Sequence, residues 1–150
     1  MALSRVIGAV VIAIATVSVA HARYGDPQDK NDKNSIPVTV GDLTRAQLIE
    51  VKDANGVVLL HGTLKTRDNT VKETERKADL ESPTGQGAKG KITIEIAHKI
   101  GKDIKDEIEV VVEKLPTMTN CDLWIDGQRV GAFVTSKQGM GDLKLSRKAG

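Results

Sequence analysis

Apolar positions in this chain obey two different rules. From Val6 to Val19 they form an unbroken run of apolar and small residues, whereas from Ile36 onward they mostly alternate with polar ones at a period of two. Alternation marks strands that bury one face and wet the other, because successive side chains point to opposite sides of a sheet. Ile92, Ile94 and Ile96 alternate with Thr93 and Glu95, and Ile108, Val110 and Val112 alternate with Glu109 and Val111. Leu143 and Leu145 predict a short closing strand. Val71 to Leu80 is balanced between a helix surface and a solvated edge strand, and Ala78 and Leu80, two residues apart, favour the strand. No segment after the first 22 residues holds an apolar stripe at 3.6-residue spacing.

Two hairpins stand out. Leu48–Val51 and Val57–Leu60 flank Asp53-Ala54-Asn55-Gly56, and Leu123–Ile125 and Val130–Val134 flank Asp126-Gly127. Asn-Gly and Asp-Gly suit two-residue turns that need positive φ at both central positions. A turn at Asn55-Gly56 predicts Val51 opposite Leu60, Ile49 opposite Gly62 and Glu50 opposite His61. A turn at Asp126-Gly127 predicts Ile125 opposite Gln128, Leu123 opposite Val130, Cys121 opposite Ala132, Trp124 opposite Arg129 and Asn120 opposite Phe133. The competing turn, Gly127-Gln128, would pair Asp126 with Arg129 and Trp124 with Gly131. Each hairpin reads as a strand, an Asx-Gly turn and a strand containing glycine (Gly62, Gly131), a layout that a duplicated half-domain would produce. About eight short strands with Gly- and Pro-marked turns predict an all-β fold, an antiparallel β-sandwich or a partly open barrel.

The first 22 residues predict a signal-peptide helix ahead of that fold. Arg5 supplies a positive start, the apolar run follows, and Ala20-His21-Ala22 offers an A-x-A cleavage site. The run covers 14 positions, short of the roughly 20 residues that cross a bilayer core as a helix. The mature protein is therefore expected outside the cytoplasm, periplasmic or extracellular, and not integral to a membrane after cleavage. Residues 23–35 (RYGDPQDKNDKNS) have little apolar surface to bury and read as a flexible polar leader. Residues 36–150 are expected to form a single all-β domain, since cleavage leaves 128 residues of the 150, enough for one core.

Charge and chemistry narrow the field. Loss of Arg5 lowers the formal net charge from +2 to +1, and acids and bases are interspersed. With aromatic residues at 2%, the clustered cations and stacking platforms that nucleic acids require are not expected, and no nucleic-acid partner is. A DxN-like run beginning at Asp29 places Asn34 and Val40 where a calcium loop needs Gly and Glu. Gly85-Gln86-Gly87-Ala88-Lys89-Gly90 has GxGxxG spacing but sits between Pro83 and a strand rather than before a helix, so an inter-strand loop is expected and a dinucleotide is not. After processing only His61 and His98 remain, without the close spacing of a zinc site, and no GxSxG elbow surrounds a serine. No catalytic residue, cofactor or metal ligand is thus marked. Cys121, the sole cysteine, is in register with Leu123 and Ile125 and reads as a small buried residue; an intermolecular disulfide or reactive thiol is the alternative.

Trp124 falls in the register of Asp122 and Asp126. If Leu123 and Ile125 face the core, Trp124 faces outward; if the strand is covered or bulged, it is buried. In the outward case Arg129 lies opposite, where a guanidinium can sit over the indole, and Trp124 with Arg129 forms the candidate contact surface.

Residues Glu107 to Leu145 (EIEVVVEKLPTMTNCDLWIDGQRVGAFVTSKQGMGDLKL) carry a β-x-β run ending in Leu, a strand, Asp-Gly, a Val-Gly strand and a G-x-G-x-L-like close. This stretch resembles small exported bacterial β-rich proteins of unknown function. The resemblance implies a β-rich fold in the cell envelope and brings no catalytic residues with it. The expected role is an exported, non-catalytic binding or structural module whose partner is a protein or an envelope component. The rival roles are a protein inhibitor or assembly partner acting through an exposed strand edge, and a small hydrolase gathering His61 or His98 with carboxylates from distant strands.

Overall fold

The computed structural model describes residues 34–70, 72–97 and 105–148. The expected signal peptide, residues 23–33 of the leader, Val71 and His98 lie outside them. Nine strands run through the described residues: β1 (Leu48–Asp53), β2 (Val58–Thr63), β3 (Lys65–Asn69), β4 (Glu73–Glu81), β5 (Lys89–Ala97), β6 (Lys105–Glu113), β7 (Asn120–Ile125), β8 (Gln128–Val134) and β9 (Gly141–Lys148). They form one antiparallel sheet in the order β8-β7-β1-β2-β4-β5-β6-β9, with β3 also paired to β4. The sheet curls until its two ends meet, so the fold is a nearly closed barrel rather than a sandwich.

The closing seam has no ladder. β8 and β9 meet through side chains instead: a Cβ built on Gly131 would lie 3.0 Å from both Leu143 Cδ2 and Leu145 Cδ1, and one on Gly141 would lie 2.7 Å from the Phe133 ring. Two bare backbone positions thus receive large side chains from the facing strand, which shuts the barrel without backbone hydrogen bonds.

The alternating residues fill the interior. Ile49, Val51, Leu60, Leu80, Ile92, Ile94, Ile108, Val110, Val112 and Leu123 are wholly buried. β4 follows the same rule with an unusual inward set, Thr74, Arg76, Ala78 and Leu80, all buried. That is why its pattern is ambiguous in the sequence: an arginine occupies a core-facing position. β3 (KTRDN) is exposed throughout and has no hydrophobic signature at all.

Residues 34–47 carry apolar side chains (Ile36, Val40, Leu43, Ala46) that are buried without being a strand. Successive turns, Val40 N–H to Pro37 C=O and Ala46 N–H to Leu43 C=O, set their spacing, so the period of two does not hold at the start of the domain. This segment straps one end of the barrel. It begins on β9 with a parallel bridge between Ser35 and Ser146, in which Ile36 donates to Ser146 and Ser146 donates to Asn34. Two arginines then hold its carbonyls. Arg147 of β9 donates to Val40 at 2.7 Å and Gly41 at 3.2 Å while its Nε meets Asp106 at 2.9 Å. Arg76 donates through Nη1 to Leu43, Thr44 and Ala46 and through Nη2 to Leu64. Its charge is met by carbonyl dipoles, with no carboxylate paired to it among the described residues.

Both hairpins form, each with one departure from expectation. In the first, Val51 faces Leu60, Ile49 faces Gly62 and Glu50 faces His61, as expected. The turn is a residue longer, because Gly56 alone takes positive φ (80°) and its N–H reaches the Asp53 carbonyl. A bulge between Val51 and Lys52 absorbs the extra residue and restores the register. In the second, Asp126 (φ 48°) and Gly127 (φ 79°) make the two-residue turn, and Ile125 faces Gln128 and Trp124 faces Arg129. Beyond Trp124 a bulge shifts the pairing by one: Leu123 faces Gly131, Cys121 faces Phe133 and Asn120 faces Val134. The cause is Phe133. An unbroken register would point it to solvent, and the bulge turns it into the core in place of Ala132. The two glycines do not coincide, Gly62 lying opposite Ile49 and Gly131 opposite Leu123, so the hairpins are alike in layout and not in register.

Candidate functional site

The outward face of β2, β1, β7 and β8 brings the candidate residues together. Cys121, Leu123 and Ile125 point inward, which directs Asp122 and Trp124 outward. β1 pairs with β7 so that Glu50 faces Trp124 and Lys52 faces Asp122. One row therefore crosses five strands: Glu81, His61, Glu50, Trp124 and Arg129. Trp124, its one aromatic member, is half-buried.

Four charges close around the indole. The Lys52 ammonium stands 4.7 Å from the ring centroid and meets Glu50 at 3.1 Å. Arg129 meets Asp122 at 2.7 Å. Arg129 stands opposite Trp124 in the ladder and its guanidinium is also engaged with Asp122, while the Lys52 ammonium adds a cation over the ring that the sequence does not mark. Lys52 was missed in the sequence since its neighbourhood depends on the pairing of β1 with β7, some 70 positions apart. The side chains of Lys52 and Arg129 are only 21% and 17% exposed, so both are held against the barrel wall instead of reaching into water. A cation so placed contributes about 1 kcal/mol. The Trp124 indole Nε1 is buried with no acceptor among the described residues. An unbonded indole N–H is an uncommon state for a buried tryptophan.

Other candidate chemistry resolves quietly. His61 is exposed between Glu50 and Glu81 on the adjoining strands. Among the described residues no group of three or more His, Cys, Asp or Glu side chains is placed to hold a metal ion. The GxGxxG stretch joins antiparallel β4 to β5, with Gly85 and Gly87 at positive φ, and so is the inter-strand loop expected of it. Cys121 is buried, and that burial, reinforced by the nearby Asp122 and Asp53 charges, pushes its thiol up to about 11. No helix of the described residues is long and apolar enough to cross a membrane.

No family model, curated protein or solved structure matches the chain.

Proposed function

We propose that this protein is an exported, non-catalytic binding module of the cell envelope, and that it engages a protein partner through the face centred on Trp124 and Arg129. The observation that carries this reading is the setting of Trp124. It is an aromatic side chain on the outward face of a barrel, framed by Lys52 and Arg129 and carrying an indole N–H with no acceptor among the described residues. Tryptophan and arginine dominate the energetics of protein contacts, and side chains already packed in one conformation lose little entropy on docking. The test is capture from an envelope extract by the mature protein, by Trp124→Leu and by Arg129→Ala. A partner retained by wild type and lost by both variants supports the reading; identical capture by all three proteins refutes it. Intact-mass measurement of exported material checks the address, with loss of Met1 to Ala22 expected.

A second reading uses a strand edge, and the seam favours it. β8 and β9 end the sheet without a ladder between them, so an added strand would pair with them by entering the seam that Leu143, Leu145 and Phe133 now pack. The edge of β3 suits this less well, being short, charged and bulged between Thr66 and Asp68, which are the features that guard edges against pairing.

A further inference from the structure

We infer that Arg76 is a binding site for a small carboxylate, gripped by one edge of its guanidinium beneath the strap. Arg76 is 7% exposed on the inward face of β4, and no carboxylate pairs with it among the described residues. The acids of the strap end are engaged elsewhere. Asp106 holds Arg147 at 2.9 Å, and Asp42 lies on the strap's exposed side against Thr44 and Arg45. A buried cation without a counter-charge is costly, and carbonyl dipoles, being partial charges, offset that cost incompletely.

The guanidinium uses its donors unevenly. Nη1 faces the carbonyls of Leu43, Thr44 and Ala46, with Thr44 at 2.9 Å. Nη2 makes one long contact, 3.4 Å to Leu64. Nε is buried and meets no acceptor among the described residues. Nε–H and one Nη2 hydrogen point the same way, and that side-on pair is the edge a carboxylate takes with two parallel hydrogen bonds. Three carbonyls thus crowd one end of the group, while the edge suited to a carboxylate carries a single weak bond. A tether to three carbonyls needs only a compact cation; the planar fork, with its second edge, is what a carboxylate uses. One negative charge also balances the one positive charge, whereas a phosphate dianion would bury an excess. Residues 43–46, which cover the group, are turn rather than strand. Their opening gives a small acid a route that a β-ladder would deny.

The inference stands apart from the Trp124 face and from the envelope location. Its test is titration of the mature protein with acetate in place of chloride at constant ionic strength. The Arg76 Nε–H proton resonance, slow to exchange with water, should shift saturably. The melting temperature should rise by about 5 °C once acetate reaches ten times its dissociation constant. Arg76→Lys keeps the charge without the fork and should bind acetate about tenfold more weakly. Arg45→Gln, on the exposed side of the strap, should bind it as wild type does. Should Arg76→Lys fail to fold, the wild-type Nε–H shift decides alone. An Nε–H unmoved across the titration, or an acetate response lost in Arg45→Gln, would overturn the inference. So would a response to phosphate without one to acetate. A response seen only in Asp103→Asn would also overturn it, since the fork would then belong to an acid of the chain itself. The assay contains no partner protein, so its failure leaves the Trp124 reading standing, and failed capture through Trp124 leaves this one standing.

Discussion

Asp126 and Leu48 hold each other across 78 positions of sequence. The Asp126 carboxylate accepts the Leu48 N–H at 2.8 Å and that of Gln47 at 3.1 Å, while the Asp126 N–H donates to the Leu48 carbonyl at 2.9 Å. A residue that the sequence marks only as half of an Asp-Gly turn thereby also fixes where β1 begins. Asp126→Ala removes the acceptor and leaves an unsuited residue at positive φ, so it should cost about 1–3 kcal/mol. Asp126→Asn keeps both the left-handed tolerance and one acceptor oxygen and should cost less than about 1 kcal/mol. Urea midpoints of the two variants check the order.

Arg76 should be the most sensitive polar residue of the domain. Replacing it with methionine keeps much of the volume but takes the guanidinium donor from the carbonyls of Leu43, Thr44, Ala46 and Leu64, of which Leu43 alone keeps a turn hydrogen bond, from Ala46 N–H. The expected loss is about 3 kcal/mol. Hydrogen exchange should locate the damage in residues 43–47, with β5 and β6 little changed.

The Cys121 thiol should resist bulky thiol reagents in the native protein at neutral pH and react once urea is added. Burial raises its folded-state pKa to about 11, above the 9.0 of an exposed thiol. The folded state therefore keeps a proton that the unfolded chain releases, and the contribution is complete below pH 9 and disappears as pH rises toward 11. Wild type should lose stability over that window relative to Cys121→Ala, by up to about 2 kcal/mol. Parallel pH dependence of the two proteins would count against this account.

Four carboxylates stand directly opposite one another on the outer wall: Asp68, Glu75, Glu95 and Glu107 on β3, β4, β5 and β6. Lys77 meets Glu75 at 3.0 Å and Lys144 meets Glu107 at 3.4 Å, which leaves Glu95 between two acidic neighbours. Glu95→Gln should raise stability by about 0.2–1 kcal/mol, and the gain should shrink in high salt. Thermal midpoints at two ionic strengths measure both.

What could be read from the sequence was what depends on near neighbours. The Asp126-Gly127 turn, the pairing of Trp124 with Arg129 and the inward alternation of β5, β6 and β9 all follow from local pattern. The bulge after Trp124 did not, because it answers a demand for core volume by Phe133 that no local rule expresses. Lys52 over the indole and Arg76 in the interior share that origin: each is placed by a strand pairing or a strap contact made far along the chain. β3 was invisible because its residues bury nothing, and only its ladder to β4 makes it a strand.

The strap carries a consequence for the order of events in synthesis. Residues 34–47 emerge before every strand of the barrel, yet the carbonyls of Val40 and Gly41 meet their donor in Arg147, over 100 positions later. The bridge at Ser35 likewise waits for Ser146. The first piece of the domain to leave the ribosome is thus among the last to be satisfied, so a growing chain cannot complete its barrel prematurely. Until the final strand arrives, Ile36, Val40 and Leu43 have no finished site to fill, and the barrel closes only when the whole domain has been made.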